Sequence, residues 1–143
     1  MEQADKYITE SRPHVGSAED VARIMRPITQ DMTQEVMFVL CLDTKGCVSH
    51  IHEATKGLLD RSQIHEREVF HAAILHASSS IILVHNHPSG NPDPSSADIR
   101  CTKKLVEAGK ILEIKVMDHI ILGRKTEDRK KDYVSLQELG QCN

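Results

Sequence analysis

Residues 81–98 of the chain read IILVHNHPSGNPDPSSAD. The segment starts with four apolar residues, which is typical of a strand that is covered on both faces. His85 and His87 follow at the end of this strand, and because they are two residues apart, their side chains point to the same side. A stretch with three prolines and one glycine then turns the chain towards Ser95. This order predicts a buried strand that carries two imidazoles at its carboxyl end.

The next element brings a carboxylate to the same place. We predict a helix over residues 95–108 that is capped by Ser95, with Asp98 one turn inside it. Strand end and helix start can then bring His85, His87 and Asp98 together, at an edge of the sheet where α/β folds bind ligands. Two histidines and one carboxylate form a catalytic zinc set that leaves a fourth position for water. The sequence therefore predicts one zinc ion bound by these three residues.

The remaining chain mixes helices and strands. Helical spacing of apolar residues predicts further helices from Ser17 to near Pro27 and over residues 66–77, and Gly109 is expected to end the helix that Ser95 begins. Apolar runs predict strands over residues 36–42, 47–54, 81–84, 111–117, 119–122 and 133–136. The first two strands form a hairpin, and a strand–helix–strand crossover follows. The prediction is an α/β domain with a mixed sheet flanked by helices.

The composition fits one globular domain. Of 143 residues, 39% are apolar and 27% are charged, a balance that excludes a disordered chain. We assign residues 17–140 to a single domain and residues 1–16 to a tail or a lead-in strand. The net charge of −3 gives nucleic-acid binding no support. The basic cluster at 124–131 is interrupted by Glu127 and Asp128, and we interpret it as a solvated loop.

The four cysteines point to a reducing compartment. None of them forms a C-x-x-C pair, and no secretory signal precedes them. No stretch of 18 apolar residues is present, so we expect no membrane span. The expected location is the cytoplasm.

An H-x-H pair is a weak signal by itself. The chain contains a second pair, His50 and His52, which is followed by Asp60 but by no capped helix. We interpret this pair as part of an edge strand. Asn86 completes the letters HNH, but the nuclease of that name is defined by dispersed residues, so we treat the match as accidental. What distinguishes the first pair is the whole string 85–98.

That string resembles a known family. The pattern of H-x-H, seven residues, Ser, two residues and Asp is similar to the JAMM motif of JAB/MPN-domain metalloproteases, and its HNHPSG-x-P-x-PS-x-x-D form is similar to the RadC-like branch. The likeness extends to residues 68–70, 102–109 and 118–123 and covers nearly everything from Ser17 to Leu139. It implies a JAB/MPN-like fold, related to the cytidine-deaminase architecture. It also implies a zinc-dependent cleavage of peptide or isopeptide bonds in a peptide or protein substrate.

The resemblance assigns two catalytic residues. A glutamate outside the H-x-H pair activates water in JAMM enzymes, and the matching residue is Glu68. Glu66 competes for this role, but two helix residues that are two apart face different ways, so both cannot reach the metal. A glutamate in the first turn of a helix also interacts favourably with the helix dipole, so the position of Glu68 can equally be explained without a catalytic role. Ser95 matches the serine that stabilises the oxyanion, and it could also cap the helix.

The chain departs from the RadC-like pattern in three places. It has Glu66 where the family tends to have proline, a longer charged segment over residues 124–132, and no helix–hairpin–helix region ahead of the domain. Either a longer protein carries that region or the protein lacks it.

Two other functional classes are alternatives to the hydrolase. RadC-like proteins carry a historical DNA-repair name, which suggests a binding or scaffold module in DNA metabolism. Scaffold JAB/MPN domains commonly lack the metal ligands, which this sequence retains, so an enzyme is favoured. A zinc nucleoside deaminase needs H-x-E and P-C-x-x-C, and neither is present.

Overall fold

The structure, a computed structural model, describes residues 12–57 and 64–143. Within these residues the elements are α1 (Ala18–Thr29), β1 (Val36–Leu42), β2 (Val48–Lys56), α2 (Glu66–Leu75), β3 (Ser80–Asn86), α3 (Ser96–Leu112), β4 (Lys115–Leu122) and β5 (Tyr133–Ser135). The five strands form one sheet in the order β2-β1-β3-β4-β5. The predicted α/β fold with a mixed sheet flanked by helices is confirmed. Most of the predicted N-terminal tail, residues 1–11, lies outside the described residues.

Strand directions bring three chain segments to one edge of the sheet. β1 runs antiparallel to both β2 and β3, whereas β3 and β4 are parallel and are joined through α3. Met37 at the start of β1 pairs with His85 near the end of β3, and Asn86 pairs with Leu122 at the end of β4. The start of β1 and the ends of β3 and β4 therefore meet. The start of α3 returns to the same edge.

The alternation of side chains along the strands divides the core into two layers. One layer lies between the sheet and helices α2 and α3, and its strand residues include Met37, Val39, Cys41, Ile81 and Leu83. The other layer lies between the sheet and α1, and its strand residues include Phe38, Leu40, Ile82, Val84 and Ile120. β1 is buried along its whole length, as its unbroken apolar run predicts. Among the described residues, no helix has the length and apolar character to cross a bilayer.

Helix α3 ends later than the sequence predicts. It continues past Gly109 to Leu112, and Glu113 ends it in the left-handed conformation with φ 58°. Gly109 serves another purpose, because a Cβ atom there would lie 2.4 Å from the carbonyl oxygen of Ile114, where the chain turns back. The prediction that Gly109 closes the helix is therefore wrong, as is the assignment of residues 111 and 112 to a strand, which begins only at Lys115.

The two strands predicted over 111–117 and 119–122 are a single strand, β4. Asp118 interrupts the apolar pattern but not the strand. Its carboxylate accepts hydrogen bonds from the hydroxyl of Ser135 at 2.7 Å and from the backbone N–H of Gln137 at 3.0 Å. A polar residue with such partners can remain inside a strand.

Candidate metal centre

The three residues predicted to bind a metal converge at the edge where β1, β3 and β4 meet. The Nε2 atoms of His85 and His87 lie 2.9 Å apart. Each Nε2 atom lies 3.2 Å from a carboxylate oxygen of Asp98, Oδ1 for His85 and Oδ2 for His87. His85 and Asp98 are buried, with exposures of 0% and 1%, whereas the side chain of His87 is 14% exposed. The cluster is thus closed towards the core and open beyond His87.

These distances fit a small divalent ion. Zinc binds nitrogen and oxygen at about 2.0–2.2 Å in a tetrahedral arrangement, which places ligand atoms about 3.3 Å apart. The observed separations of 2.9 Å and 3.2 Å are close to that value. Two imidazoles and one carboxylate are also the donors that zinc prefers, so the residues present fit the ion that the sequence predicts.

A fourth side chain, which sequence reasoning missed, faces the cluster. Glu35 Oε1 lies 3.8 Å from His87 Nε2, and the ligand atoms of Glu35, His85 and His87 all lie within 4.8 Å of one another. Glu35 directly precedes β1, and because β1 is antiparallel to β3, it comes to the carboxyl end of β3. Its side chain is 33% exposed. An acidic residue next to the first buried strand was the available signal, but its position depends on the pairing of β1 with β3.

Asn86 holds the segment around Glu35. Its Oδ1 accepts the backbone N–H of Val36 at 2.8 Å, and its amide nitrogen donates to the carbonyl of Gln34 at 2.9 Å. Asn86 is only 4% exposed. The residue between the two histidines therefore anchors the backbone on both sides of Glu35, a role that the sequence did not indicate.

Both imidazoles have a partner on the nitrogen that faces away from the cluster. His87 Nδ1 donates to the carbonyl of Asn91 at 2.8 Å, within the turn-rich loop. His85 Nδ1 lies 2.6 Å from Nε2 of the buried His119. These contacts leave Nε2 of each ring directed at Asp98. This is the atom through which each ring would bind a metal.

Comparison with known proteins identifies the fold family. A family model described as "RadC-like JAB domain" matches residues 15–141. The chain belongs to the RadC-like JAB domain family. The resemblance seen in the string 85–98 is therefore confirmed.

Individual relatives agree. The chain is 43% identical to a UPF0758 protein of Methanosarcina barkeri over 136 residues, which are 95% of this chain and 57% of that protein. It is 46% identical to a UPF0758 protein of Alkaliphilus metalliredigens, with 87% of this chain and 51% of that protein covered. With a UPF0758 protein of Caldanaerobacter subterraneus it shares 49% identity, over 76% of this chain and 47% of that protein. The chain thus spans about half the length of these curated relatives, and their names state no activity.

Ser95 and Asp98 form a capping box at the start of helix α3 of this RadC-like domain. Ser95 Oγ accepts the backbone N–H of Asp98 at 3.1 Å, and the backbone N–H of Ser95 donates to Asp98 Oδ2 at 2.9 Å. The carboxylate that faces the histidines is thereby fixed by the helix cap. Ser95 is exposed, and because capping uses its oxygen as an acceptor, its hydroxyl proton remains a donor.

Electrostatics at the cluster favour a cation. Burial by itself would raise the pKa of Asp98, but hydrogen bonds from His85 and His87 in their protonated form outweigh it and hold that pKa far below its usual range. Burial would likewise lower the pKa of His87, yet the hydrogen bonds to Asp98 and to the Asn91 carbonyl raise it above its ordinary value. The ionised Asp98 therefore attracts positive charge into the site, as a proton or as a metal ion.

The structure does not place Glu68 in this cluster. Glu68 is exposed in the first turn of α2, and the neighbouring Glu66 forms an ion pair with Lys104 at 3.1 Å. Glu35 is instead the glutamate whose carboxylate lies within 4.8 Å of both imidazoles. The catalytic role that the family resemblance gives to Glu68 stays a prediction, and the geometry supports Glu35 in its place.

The rival histidine pair lies elsewhere. His50 and His52 belong to β2, an edge strand, as the sequence predicts. His50 pairs with Cys41 at the other end of β1, and its ring stacks on that of His76 with centroids 3.5 Å apart. This position separates the pair from the metal-site edge.

The basic segment 124–131 does more than form a solvated loop. The guanidinium of Arg124 donates to the carbonyl of Pro88 at 2.6 Å, and that of Arg129 donates to the carbonyl of Gly90 at 2.9 Å. Two of its five cations therefore hold the loop that follows His87. The sequence interpretation was incomplete, because the contact joins segments that are distant along the chain.

Proposed function

We propose that this chain is a zinc-dependent hydrolase of peptide or isopeptide bonds. His85, His87 and Asp98 hold the ion, and Glu35 is the general base. The observation that carries the proposal is the convergence of two imidazoles, a buried carboxylate and a second, partly exposed carboxylate within a few ångströms. When bound, zinc lowers the pKa of its water to about 7 and polarises the scissile carbonyl.

The charges of the cluster suit this chemistry. The two imidazoles present neutral Nε2 atoms, and Asp98 contributes one negative charge. A dication bound there keeps a net positive charge and hence its power as a Lewis acid. Asp98 is buried and fixed by the helix cap, as a ligand should be, whereas Glu35 is one-third exposed. A carboxylate at the rim can take a proton from the attacking water and exchange it with solvent.

The remaining roles follow from position. Glu35 accepts the proton of the water and delivers it to the leaving amine. The hydroxyl of Ser95, at the start of α3, supplies a hydrogen bond to the oxyanion while its oxygen continues to cap the helix. Both roles need the exposure that these side chains have, because the substrate must reach them.

A cavity beside His87 provides room for a substrate. It has a volume of about 340 Å³, and its lining includes Met32, Asn86, His87, Pro88, Arg124 and Lys125. The walls combine apolar and polar groups, which suits a short stretch of polypeptide. Because His87 lines this cavity, a polypeptide segment bound there would lie beside one of the proposed metal ligands.

Metal content and turnover together test the proposal. We expect about one zinc ion per chain after reconstitution and a large loss of zinc in His87→Ala. Glu35→Gln should keep its zinc and lose about 10²–10⁴-fold in turnover on a peptide or isopeptide library substrate. Glu68→Gln is the matched control and should retain wild-type turnover.

Each other outcome has a distinct meaning. Loss of zinc in Glu35→Gln would make Glu35 a fourth ligand. An inactive Glu68→Gln beside an active Glu35→Gln would return the general base to helix α2. A zinc-loaded wild-type protein that cleaves neither peptides nor isopeptides would reject the hydrolase. The alternative of a non-hydrolytic binding module in DNA metabolism would then take its place.

A further inference from the structure

A third histidine lies behind the metal centre. His119, on β4, is fully buried, and its Nε2 atom lies 2.6 Å from Nδ1 of His85. On the other side of its ring, Nδ1 lies 2.5 Å from Oγ1 of Thr102 in helix α3. Thr102 is also fully buried. The ring therefore bridges a proposed ligand on β3 and the helix that supplies Asp98.

The positions of the protons along this bridge can be worked out. Oγ1 of Thr102 lies 2.8 Å from the backbone carbonyl of Asp98, one helical turn earlier. A carbonyl oxygen cannot donate, so the hydroxyl proton of Thr102 must point to it. The oxygen of Thr102 is then the acceptor for His119, which places a proton on Nδ1 of that ring.

The same reasoning continues to the metal centre. Burial disfavours a charged imidazole, so the fully buried His119 is taken as neutral and, with its proton on Nδ1, presents a lone pair at Nε2. The contact of 2.6 Å to Nδ1 of His85 then requires the proton on His85 Nδ1. When His85 is neutral, its lone pair is thereby left on Nε2, the atom that lies 3.2 Å from Asp98 and can bind a metal ion.

We propose that His119 and Thr102 are positioning residues that fix the tautomer of His85. The hydrogen-bonded series runs from the Asp98 carbonyl through Thr102 and His119 to His85, and it ties two ligands from different elements into one arrangement. Metal-binding histidines usually direct their second nitrogen at a carboxylate, a carbonyl or water. Here a neutral histidine performs that task in a fully buried setting. The inference rests on the proposed metal site.

Two pairs of variants separate this role from simple packing. Thr102→Val has nearly the same shape but cannot accept from His119, whereas Thr102→Ser keeps the hydroxyl. His119→Gln can accept from His85 and donate to Thr102, whereas His119→Leu can do neither. We expect metal affinity to fall about 10–100-fold in Thr102→Val and His119→Leu. The Thr102→Ser and His119→Gln variants should stay much closer to wild type.

The deciding measurement is the tautomer itself. Long-range ¹H–¹⁵N correlation spectra of histidine-labelled, metal-free protein at about pH 8 distinguish the two neutral ring forms. The His85 signals can be assigned by their loss in His85→Gln. We expect a proton on Nδ1 of His85 in wild type and in Thr102→Ser, and a mixture of both forms in Thr102→Val. Thermal unfolding of each variant checks that the fold is kept.

Two results would overturn the inference. One is wild-type His85 with its proton on Nε2. The other is a folded Thr102→Val variant with unchanged tautomer and unchanged metal affinity. If wild-type protein has the Nδ1 proton on His85 but binds no zinc, the proposed function fails while the hydrogen-bonded series stands. Because the spectra need neither metal nor substrate, the two failures can be told apart.

Discussion

Asn86 brackets Glu35 with two hydrogen bonds, one to the backbone on each side of it. The amide oxygen accepts from Val36 at 2.8 Å, and the amide nitrogen donates to Gln34 at 2.9 Å. The backbone of the proposed general base is thereby attached to the residue between the two proposed ligands. These two hydrogen bonds require one acceptor and one donor on the same short side chain. The amide of asparagine supplies both.

The first prediction concerns this bracket. Asn86→Asp can still accept from Val36 but places a carboxylate oxygen against the carbonyl of Gln34. We expect the free energy of unfolding to fall by about 1–3 kcal/mol and turnover to fall more than zinc content, because Glu35 moves while the ligands remain. Urea denaturation and metal analysis provide the measurements. The same change at the exposed Asn143 should have no effect, and equal losses at both positions would refute the role of the bracket.

The sequence predicted His85, His87 and Asp98 as a group because they lie within one strand–loop–helix unit. Local rules of strand direction and helix capping suffice to bring them together. Glu35 lies fifty residues from His85, and its position depends on β1 pairing with β3 instead of only with β2. Apolar runs predict that a strand exists, but they do not determine its neighbour. The family resemblance instead assigns the general base to Glu68, in the first turn of α2.

The ends of helices are likewise only partly predictable from the sequence. The predicted helix start at Ser17 is confirmed, because the Ser17 hydroxyl accepts the backbone N–H of Asp20 and caps α1. Gly109 was wrongly predicted as a helix end, because its small size serves a contact with the carbonyl of Ile114. In a sequence, a glycine is compatible both with the end of a helix and with a close approach of another backbone segment. Tertiary contacts decide between them.

The second prediction concerns pH. The pKa of His87 is raised in the metal-free protein, where Asp98 stabilises the protonated ring against the cost of burial. Protons and metal compete for this ring, so metal affinity should fall by about tenfold per pH unit below the His87 pKa. Metal competition titrations between about pH 5 and pH 8.5 measure this. An affinity that does not change over that range would exclude His87 as a ligand.

The stability of the metal-free protein should move in the opposite direction. A folded-state pKa above the unfolded value means that the contribution of His87 to stability is fully present below about pH 6.5. It is lost as the pH rises through the raised pKa. Bound zinc should reverse this trend at alkaline pH, since ligand binding stabilises the folded state. Urea denaturation with and without zinc at both ends of the range is the check.

The third prediction concerns the ion pair between α1 and the segment before β5. Arg26 contacts both carboxylate oxygens of Asp132, at 2.5 Å and 3.0 Å, and this lowers the pKa of Asp132. Such a carboxylate contributes stability above its unfolded pKa of about 3.9 and loses it as the pH falls through the lower folded value. Because the Arg26 side chain is 36% exposed, solvent screening limits the expected cost of Arg26→Gln to about 1 kcal/mol at neutral pH.

Denaturation at two pH values tests the assignment. The difference between Arg26→Gln and wild type should shrink as the pH falls below about 3.9 and through the lowered pKa of Asp132. Arg23→Gln is the matched control, since Arg23 pairs with Asp20 on an exposed helix surface with 65% of its side chain accessible. It should cost less than Arg26→Gln. A pH-independent effect of Arg26→Gln would assign its contribution to packing.

The last prediction concerns Gly123, which directly follows β4. A Cβ atom at this position would lie 2.2 Å from the carbonyl oxygen of Gly90 and 2.9 Å from Cδ of Pro92. The neighbouring Arg124 backbone N–H donates to that same Gly90 carbonyl at 2.7 Å, so the loop has little freedom to retreat. Gly123→Ala should therefore push the loop that follows His87 outward. We expect a loss of about 1–3 kcal/mol in unfolding free energy together with weaker zinc binding.

A second glycine provides the comparison. A Cβ atom at Gly16 would meet its nearest neighbour, the His14 ring, at an ordinary 3.5 Å, so Gly16→Ala should leave zinc affinity unchanged. Zinc titration of the two alanine variants under identical conditions measures the difference. If Gly123→Ala is destabilised but binds zinc as wild type does, the loop yields without moving His87. The bonds from His87 Nδ1 to the Asn91 carbonyl and from its backbone N–H to the Leu122 carbonyl would then be sufficient to hold the ring.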